Sequence, residues 1–219
     1  LQGNAQTEGR ITRYNYFFLE AIRQQEMGNL AAAFDLLNHA RDINPNAPEV
    51  YYEIAGYYVA MQNSKAARYN FEQAAKLAPD NSTYLEKLGQ FYISQNNYED
   101  ALTTYEQLYT NNKTREDVLQ ILYQLYGAQN NYKKMIEMIE RMELLSGASE
   151  QLSLTKMQIY EQMGDKRKAQ AELLRLVQKN PLELNYRVML GNWLLQNNKK
   201  KEAYNEYQTV LKEDPNNAA

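Results

Sequence analysis

Large, small and polar residues recur along this chain with a period of 34 residues and no insertion or deletion, in frames that begin at Tyr14, Pro48, Ser82, Glu116, Glu150 and Leu184. Pro45 and Pro79 stand one period apart, as do Pro181 and Pro215. Counted within each frame, position 8 holds Ala21, Ala55, Gly89, Tyr123, Met157 and Gly191, and position 20 holds Ala33, Ala67, Ala101, Met135, Ala169 and Ala203. Position 24 is large in every frame: Leu37, Phe71, Tyr105, Ile139, Leu173 and Tyr207. Position 11 is aromatic at Tyr58, Tyr92, Tyr126 and Tyr160. Knobs and small sockets at helical spacing predict paired helices, whose approach is set by side-chain bulk.

The polar positions predict the turns between them. Position 15 holds Gly28, Gln62, Asn96, Asn130, Gly164 and Asn198, and all but Gln62 are residues that tolerate the left-handed conformation ending a helix. Position 16 holds Asn29, Asn63, Asn97, Asn131, Asp165 and Lys199; the first five can cap the following helix by accepting its free amide hydrogens. Each period therefore reads as helix, tight turn, helix. The first helices are predicted over 15–27, 49–61, 83–95, 117–129, 151–163 and 185–197, and the second over 31–43, 65–77, 99–111, 133–145, 167–179 and 201–213.

In these columns the chain resembles the tetratricopeptide repeat family, most clearly at Tyr51, Ile54, Ala55, Tyr58, Ala67, Phe71, Ala74 and Pro79. The resemblance covers residues 14–217 and implies an all-α fold, a right-handed α-α superhelix (solenoid) of six helix-turn-helix repeats. Departures are local. Tyr123 and Met135 replace small residues, which predicts a wider helix pair in the fourth repeat, and Glu20, Ser153 and Lys156 place polar groups at or near helix contacts.

Residues 1–13 are polar, contain glycine and read as a flexible segment, with an extension of the first helix from about Thr12; residues 14–217 read as a single array. The chain opens Leu1-Gln2-Gly3-Asn4 without Met, which fits a processed form or an excised piece. The last helix carries Tyr204, Tyr207, Val210 and Leu211 with no capping element after it. Because solenoid repeats need a polar cap, the expectation is truncation before further repeats or a capping helix, and self-association through the uncapped C-terminal repeat.

Composition narrows the partners. The formal charge is −3, too acidic overall for the basic stripe that nucleic acid requires. No apolar run approaches the roughly 18 residues of a membrane span. The absence of cysteine excludes disulfides and thiol chemistry and is compatible with any compartment. Tyrosine (19 residues) and the amides Asn (23) and Gln (19) are abundant, and with the non-Met start this favours an exported, periplasmic bacterial protein over a cytoplasmic one by a small margin.

Nothing in the sequence assembles a catalytic site or a cofactor or metal site. His39 is the only histidine and reads as a packed or solvent-facing helix residue. Phosphate-cradling, zinc-protease and nucleophile-elbow motifs do not occur. Glu137, Glu140 and Glu143 read as a solvated helix face, and the clusters Lys166-Arg167-Lys168 and Lys199-Lys200-Lys201 as solvated turns, with attraction to an acidic partner or membrane surface the other reading.

The family resemblance implies a concave surface lined by the first helices at positions 2, 5, 9, 12 and 13, a place for an extended peptide or a partner's helix. The candidate binding residues are then Asn15, Phe18, Ile22, Glu49, Tyr52, Glu86, Gln90, Gln120, Gln124, Gln158 and Asn192. Gln90, Gln124, Gln158 and Asn192 form one line of amides suited to a peptide backbone, or merely polar, water-facing side chains. Phe18 and Tyr52 suit an apolar anchor. Glu26, Glu49, Glu53, Glu86, Asp117 and Glu161 lie on or beside this face against Lys87 as the obvious base, so a neutral or basic protein segment is expected, not the terminal carboxylate that basic relatives hold. The function expected is a non-catalytic scaffold or adaptor. The alternative is a regulatory or targeting array of a larger enzyme or signalling protein.

Overall fold

The computed structural model describes residues 2–217; Leu1, the first residue of the expected N-terminal segment, and the two residues after Asn217 lie outside the described residues. Among the described residues there are twelve helices and no strands. The first helices of the hairpins are α1 (Gln2–Glu26), α3 (Pro48–Ala60), α5 (Ser82–Ser94), α7 (Glu116–Ala128), α9 (Glu150–Gln162) and α11 (Leu184–Gln196). The second are α2 (Leu30–Ile43), α4 (Ser64–Leu77), α6 (Tyr98–Asn111), α8 (Tyr132–Ser146), α10 (Lys166–Lys179) and α12 (Lys200–Glu213). From α2 onward every helix begins one residue before its predicted start.

The exception is α1, which is helical from Gln2, not from about Thr12. Residues 3–13 are exposed, and Thr7 and Thr12 donate to the carbonyls of Gly3 and Glu8 one turn back. The sequence signal was weak because these turns carry no buried stripe and contain Gly3 and Gly9, poor helix formers.

The chain divides into two compact units at the join of the third and fourth repeats, one ending at Lys113 and the other beginning at Thr114. In the first, each helix packs on its hairpin partner, and α2 meets α3 as α4 meets α5. Its core includes Ala21, Leu37, Ala40, Val50 and Ile54. In the second unit the same pairings recur, around Ile139, Ile159, Leu173, Leu190 and Trp193.

All six position-15 residues adopt positive φ, including Gln62 at 59°. Its turn is closed by the Asn63 amide donating to the Tyr58 carbonyl (2.9 Å) and the Gln62 amide donating to the Val59 carbonyl (3.0 Å), the pair of hydrogen bonds that satisfies a helix end. The geometry is thus imposed by the hairpin even where the residue disfavours it. The capping expectation is corrected at Asn29: Asn63, Asn97, Asn131 and Asp165 accept from their helix amides, but Asn29 makes no cap and donates instead to Gln24 Oε1 at 2.8 Å.

Knobs and sockets meet as the columns predict. A Cβ on Gly89 would stand 2.7 Å from the Tyr105 ring, and one on Gly191 2.6 Å from the Tyr207 ring. The smallest socket is therefore used where the knob is tyrosine. In the fourth repeat the bulk of Met135 is received by Gly127, where an added Cβ would lie 3.4 Å from Met135 Cε. The polar departures are satisfied. Glu20 pairs with Arg23 at 2.6 Å, and Ser153 lies 3.4 Å from the Arg175 guanidinium. Lys156 is held between Glu143 (2.6 Å) and Glu172 (3.0 Å), both of which also pair with Arg175.

Candidate functional site

On the first unit, the expected binding residues come from α1, α3 and α5. Pro48 opens α3 and places Glu49 in its first turn, where the helix dipole favours a carboxylate. Tyr14, buried on α1, donates its hydroxyl to Glu49 at 2.5 Å, and its ring stacks on Phe18 at 5.9 Å between centroids. Burial and this bond to a carboxylate push the Tyr14 phenol far above its ordinary range.

One turn along α3, Tyr52 leans on the rings of Tyr84 (5.0 Å) and Phe71 (6.4 Å). Glu53 is half-buried beside it; burial raises its carboxyl above the usual range, and a hydrogen bond from Gln25 offsets only part of that. Tyr57 donates to Gln25 Oε1 at 3.0 Å, which fixes the amide with its NH2 available to Glu53. Tyr84 feels the charges of both Glu49 and Glu53, so the two carboxylates and the rings form one cluster. No lysine or arginine among the described residues forms an ion pair with Glu49 or Glu53, whereas Glu20, Glu72 and Asp100 on the same unit all have arginine partners.

Phe18, Glu49 and Tyr52 are thereby brought together. Asn15 and Gln90 are exposed, and Ile22 and Glu86 half-buried, on the same helices but outside the ring contacts. Tyr14 and Tyr84 were missed from the sequence because neither falls in the five columns taken as the inner face, although an aromatic at position 3 recurs at Tyr16, Tyr84 and Tyr186. Gln25 stands in one of those columns, at position 12, but nothing in its own repeat singled it out. A separate hollow of about 860 Å³ lies between the first turns of α1 and the end of α2, lined by Arg10, Arg13, His39 and Asp42. His39 itself is exposed and meets the edge of Phe17 at 4.3 Å.

On the second unit, Gln120, Gln124, Gln158 and Asn192 are exposed. Gln158 lines an open depression of about 490 Å³ with Ser149, Glu150, Gln151, Leu154 and Thr155, in which Leu154 is the apolar side chain among polar and charged ones. Gln120 donates to Met142 Sδ at 3.7 Å, and Asn192 Oδ1 accepts from Tyr207 at 2.6 Å, so these two amides already have partners. Two of the acids assigned to the inner face are also engaged. Asp117 pairs with Arg115 at 2.5 Å, which holds its carboxyl below the usual range, and Glu161 accepts from the Trp193 indole. The unpaired acids Glu49 and Glu53 both belong to the first unit.

The basic turns are partly packed: Lys168 lies over the Tyr160 ring, and Lys199 lies over Trp193 and donates to Gln170. On α12, Tyr204 and Leu211 are exposed, but Val210 is buried and Tyr207 is seated against Gly191, so only two of the four residues expected at the end face solvent. Among the described residues, no group of three or more His, Cys, Asp or Glu side chains converges as metal ligands, and no helix is long and apolar enough to cross a membrane.

Comparison with known proteins agrees with this architecture. The tetratricopeptide repeat family model matches residues 52–115 and 154–218. No curated protein matches the sequence. Among solved structures, the chain is similar to a tetratricopeptide repeat protein from Parabacteroides merdae (16% identity, 92% of this chain and 80% of that one, TM-score 0.54). It is also similar to MamA AMB-1 (20% identity, 74% and 88% covered, TM-score 0.52). A third likeness is to the structure of Naa15/Naa10 bound to HypK-THB (17% identity, 99% of this chain and 34% of that one, TM-score 0.60). At these identities the likenesses carry the fold alone. The family model spans more than half of the sequence, and the chain belongs to the tetratricopeptide repeat family.

Proposed function

We propose that this protein is a non-catalytic scaffold or adaptor that holds a neutral or basic segment of a partner protein against the faces of its first helices. The observation that carries this reading is the cluster on the first unit, where Phe18, Tyr52 and Tyr84 stand beside Glu49 and Glu53 with no internal cation. Such a surface offers apolar anchoring area and carboxylate acceptors at once, the composition of a recognition site. The depression around Leu154 and Gln158 supplies a second contact, suited to an apolar side chain flanked by a peptide backbone.

Affinity capture from source-cell extract, with soluble and envelope fractions kept apart, tests the reading. The expected result is a partner retained by the natural chain and lost when Gln90, Gln124 and Gln158 are changed to Ala. A partner retained by that variant moves the site to another face. No partner in either fraction favours the second reading, an array that regulates or targets a larger enzyme or signalling protein.

A further inference from the structure

We infer that the α1–α3–α5 face of the first unit is a specificity site for a single arginine side chain in an extended partner segment, with Glu49 and Glu53 as its anionic acceptors and Tyr52 and Tyr84 as its stacking surface. The inference rests on the protein-binding reading above and assigns its selectivity to named groups. Charge complementarity is the first argument. Elsewhere on this unit arginines meet the carboxylates: Arg23 binds Glu20, and Arg68 bridges Glu72 (2.7 Å) and Asp100 (3.1 Å). Glu49 and Glu53 are left to neutral donors, a tyrosine hydroxyl and an amide. They stand one turn apart on α3, close enough for one planar cation to engage both.

The second argument is the surroundings. A guanidinium stacks on aromatic faces and is more weakly hydrated than an ammonium, so it loses less on entering a half-buried aromatic surface. The Tyr52 and Tyr84 rings lie 5.0 Å apart and inclined at 36°, a continuous aromatic surface beside the acids. Arg68 already uses this mode within the chain, lying 5.5 Å over the Tyr92 ring while bound to Glu72. The third argument is preorganisation. Tyr14 holds Glu49, and Tyr57 orients Gln25 toward Glu53, so the acceptors are positioned before a cation arrives.

The test uses the whole chain, isotopically labelled, titrated with three extended peptides of alanine and glycine that carry a central arginine, citrulline or glutamate. The arginine peptide is expected to shift amide resonances of residues 49–56 and 14–18. Citrulline, which keeps the shape and loses the charge, should bind about fivefold or more weakly, and glutamate weaker still. Glu53→Gln and the double change of Glu49 and Glu53 to Gln should remove the preference for arginine over citrulline. Equal binding of arginine and citrulline by the natural chain overturns the inference without relying on any variant, as does the absence of arginine-dependent shifts. The broader reading is scored separately. A cellular partner captured equally by the natural chain and the double variant sinks the arginine site and leaves the binding function standing, whereas failure to capture any partner counts against that function itself.

Discussion

Lys156 Nζ lies 2.6 Å from Glu143 across the join of α8 and α9, with only 4% of the lysine side chain exposed. Glu172 and Arg175 complete a four-charge cluster of zero net charge. Buried charges of this kind are tolerated only when each is paired. Lys156→Ala leaves two carboxylates facing each other with only Arg175 between them, and is expected to lower stability by about 3–5 kcal/mol. Lys156→Met combined with Glu172→Gln keeps the charge balanced and should cost far less. Urea denaturation of both variants checks this.

Gly89 and Tyr105 form a socket and knob with no room for a methyl group. Gly89→Ala gains helix propensity, but overpacking costs about 1–3 kcal/mol and is expected to win, because Tyr105 is 1% exposed and cannot swing away. The first repeat solves the same contact with Ala21 and Leu37. Adding Tyr105→Leu to Gly89→Ala should therefore cost less than adding it to the natural chain, a favourable coupling that a double-mutant cycle measures.

These pairs show what was legible in the sequence. The 34-residue columns carry helix order, turn positions and the size of each socket, because those are set by contacts within one hairpin at fixed spacing. The four-charge cluster was not legible: Lys156, Glu143 and Glu172 lie on three different helices, and only folding shows that an apparent defect is mutual compensation. The candidate site divides the same way. Columns placed Phe18, Glu49 and Tyr52 on one face, but Tyr14 and Tyr84 reach it from positions outside those columns, and Asp117 and Glu161 prove to be engaged by Arg115 and Trp193.

Gln62 holds φ at 59°, where a side chain with a Cβ carries a cost of about 1–2 kcal/mol. Asn fills the equivalent turn at Asn96, Asn130 and Asn198. Gln62→Asn is expected to raise stability by about 0.5–1 kcal/mol, seen as an upward shift in thermal midpoint.

Asn70 is 3% exposed, and its Oδ1 has no hydrogen-bond partner, while its Nδ2 donates back to the Ala66 carbonyl. Leu36 and Met138 occupy the same repeat position. Asn70→Leu removes the stranded acceptor at similar volume and should stabilise the chain by about 1–2 kcal/mol in the same assay.

Glu53 gives the pH prediction. Burial raises its folded carboxyl above the ordinary range, so the unfolded chain releases this proton at a lower pH than the folded one. The contribution to stability is thus lost as pH rises from the ordinary carboxylate range through the higher folded value, and is constant above it. Glu53→Gln removes that loss. It should raise stability at neutral pH by a few tenths to about 1 kcal/mol, discounted for its partial exposure, and flatten this part of the pH profile.

Site-specific photo-crosslinking in source cells tests the central claim most directly, with the reactive side chain placed in turn at Gln90, Gln124 and Gln158, and at the exposed second-helix residues Tyr69 and Leu174. The account predicts that one partner protein crosslinks from the first-helix positions and not from Tyr69 or Leu174. A partner that crosslinks only from those second-helix positions would contradict it.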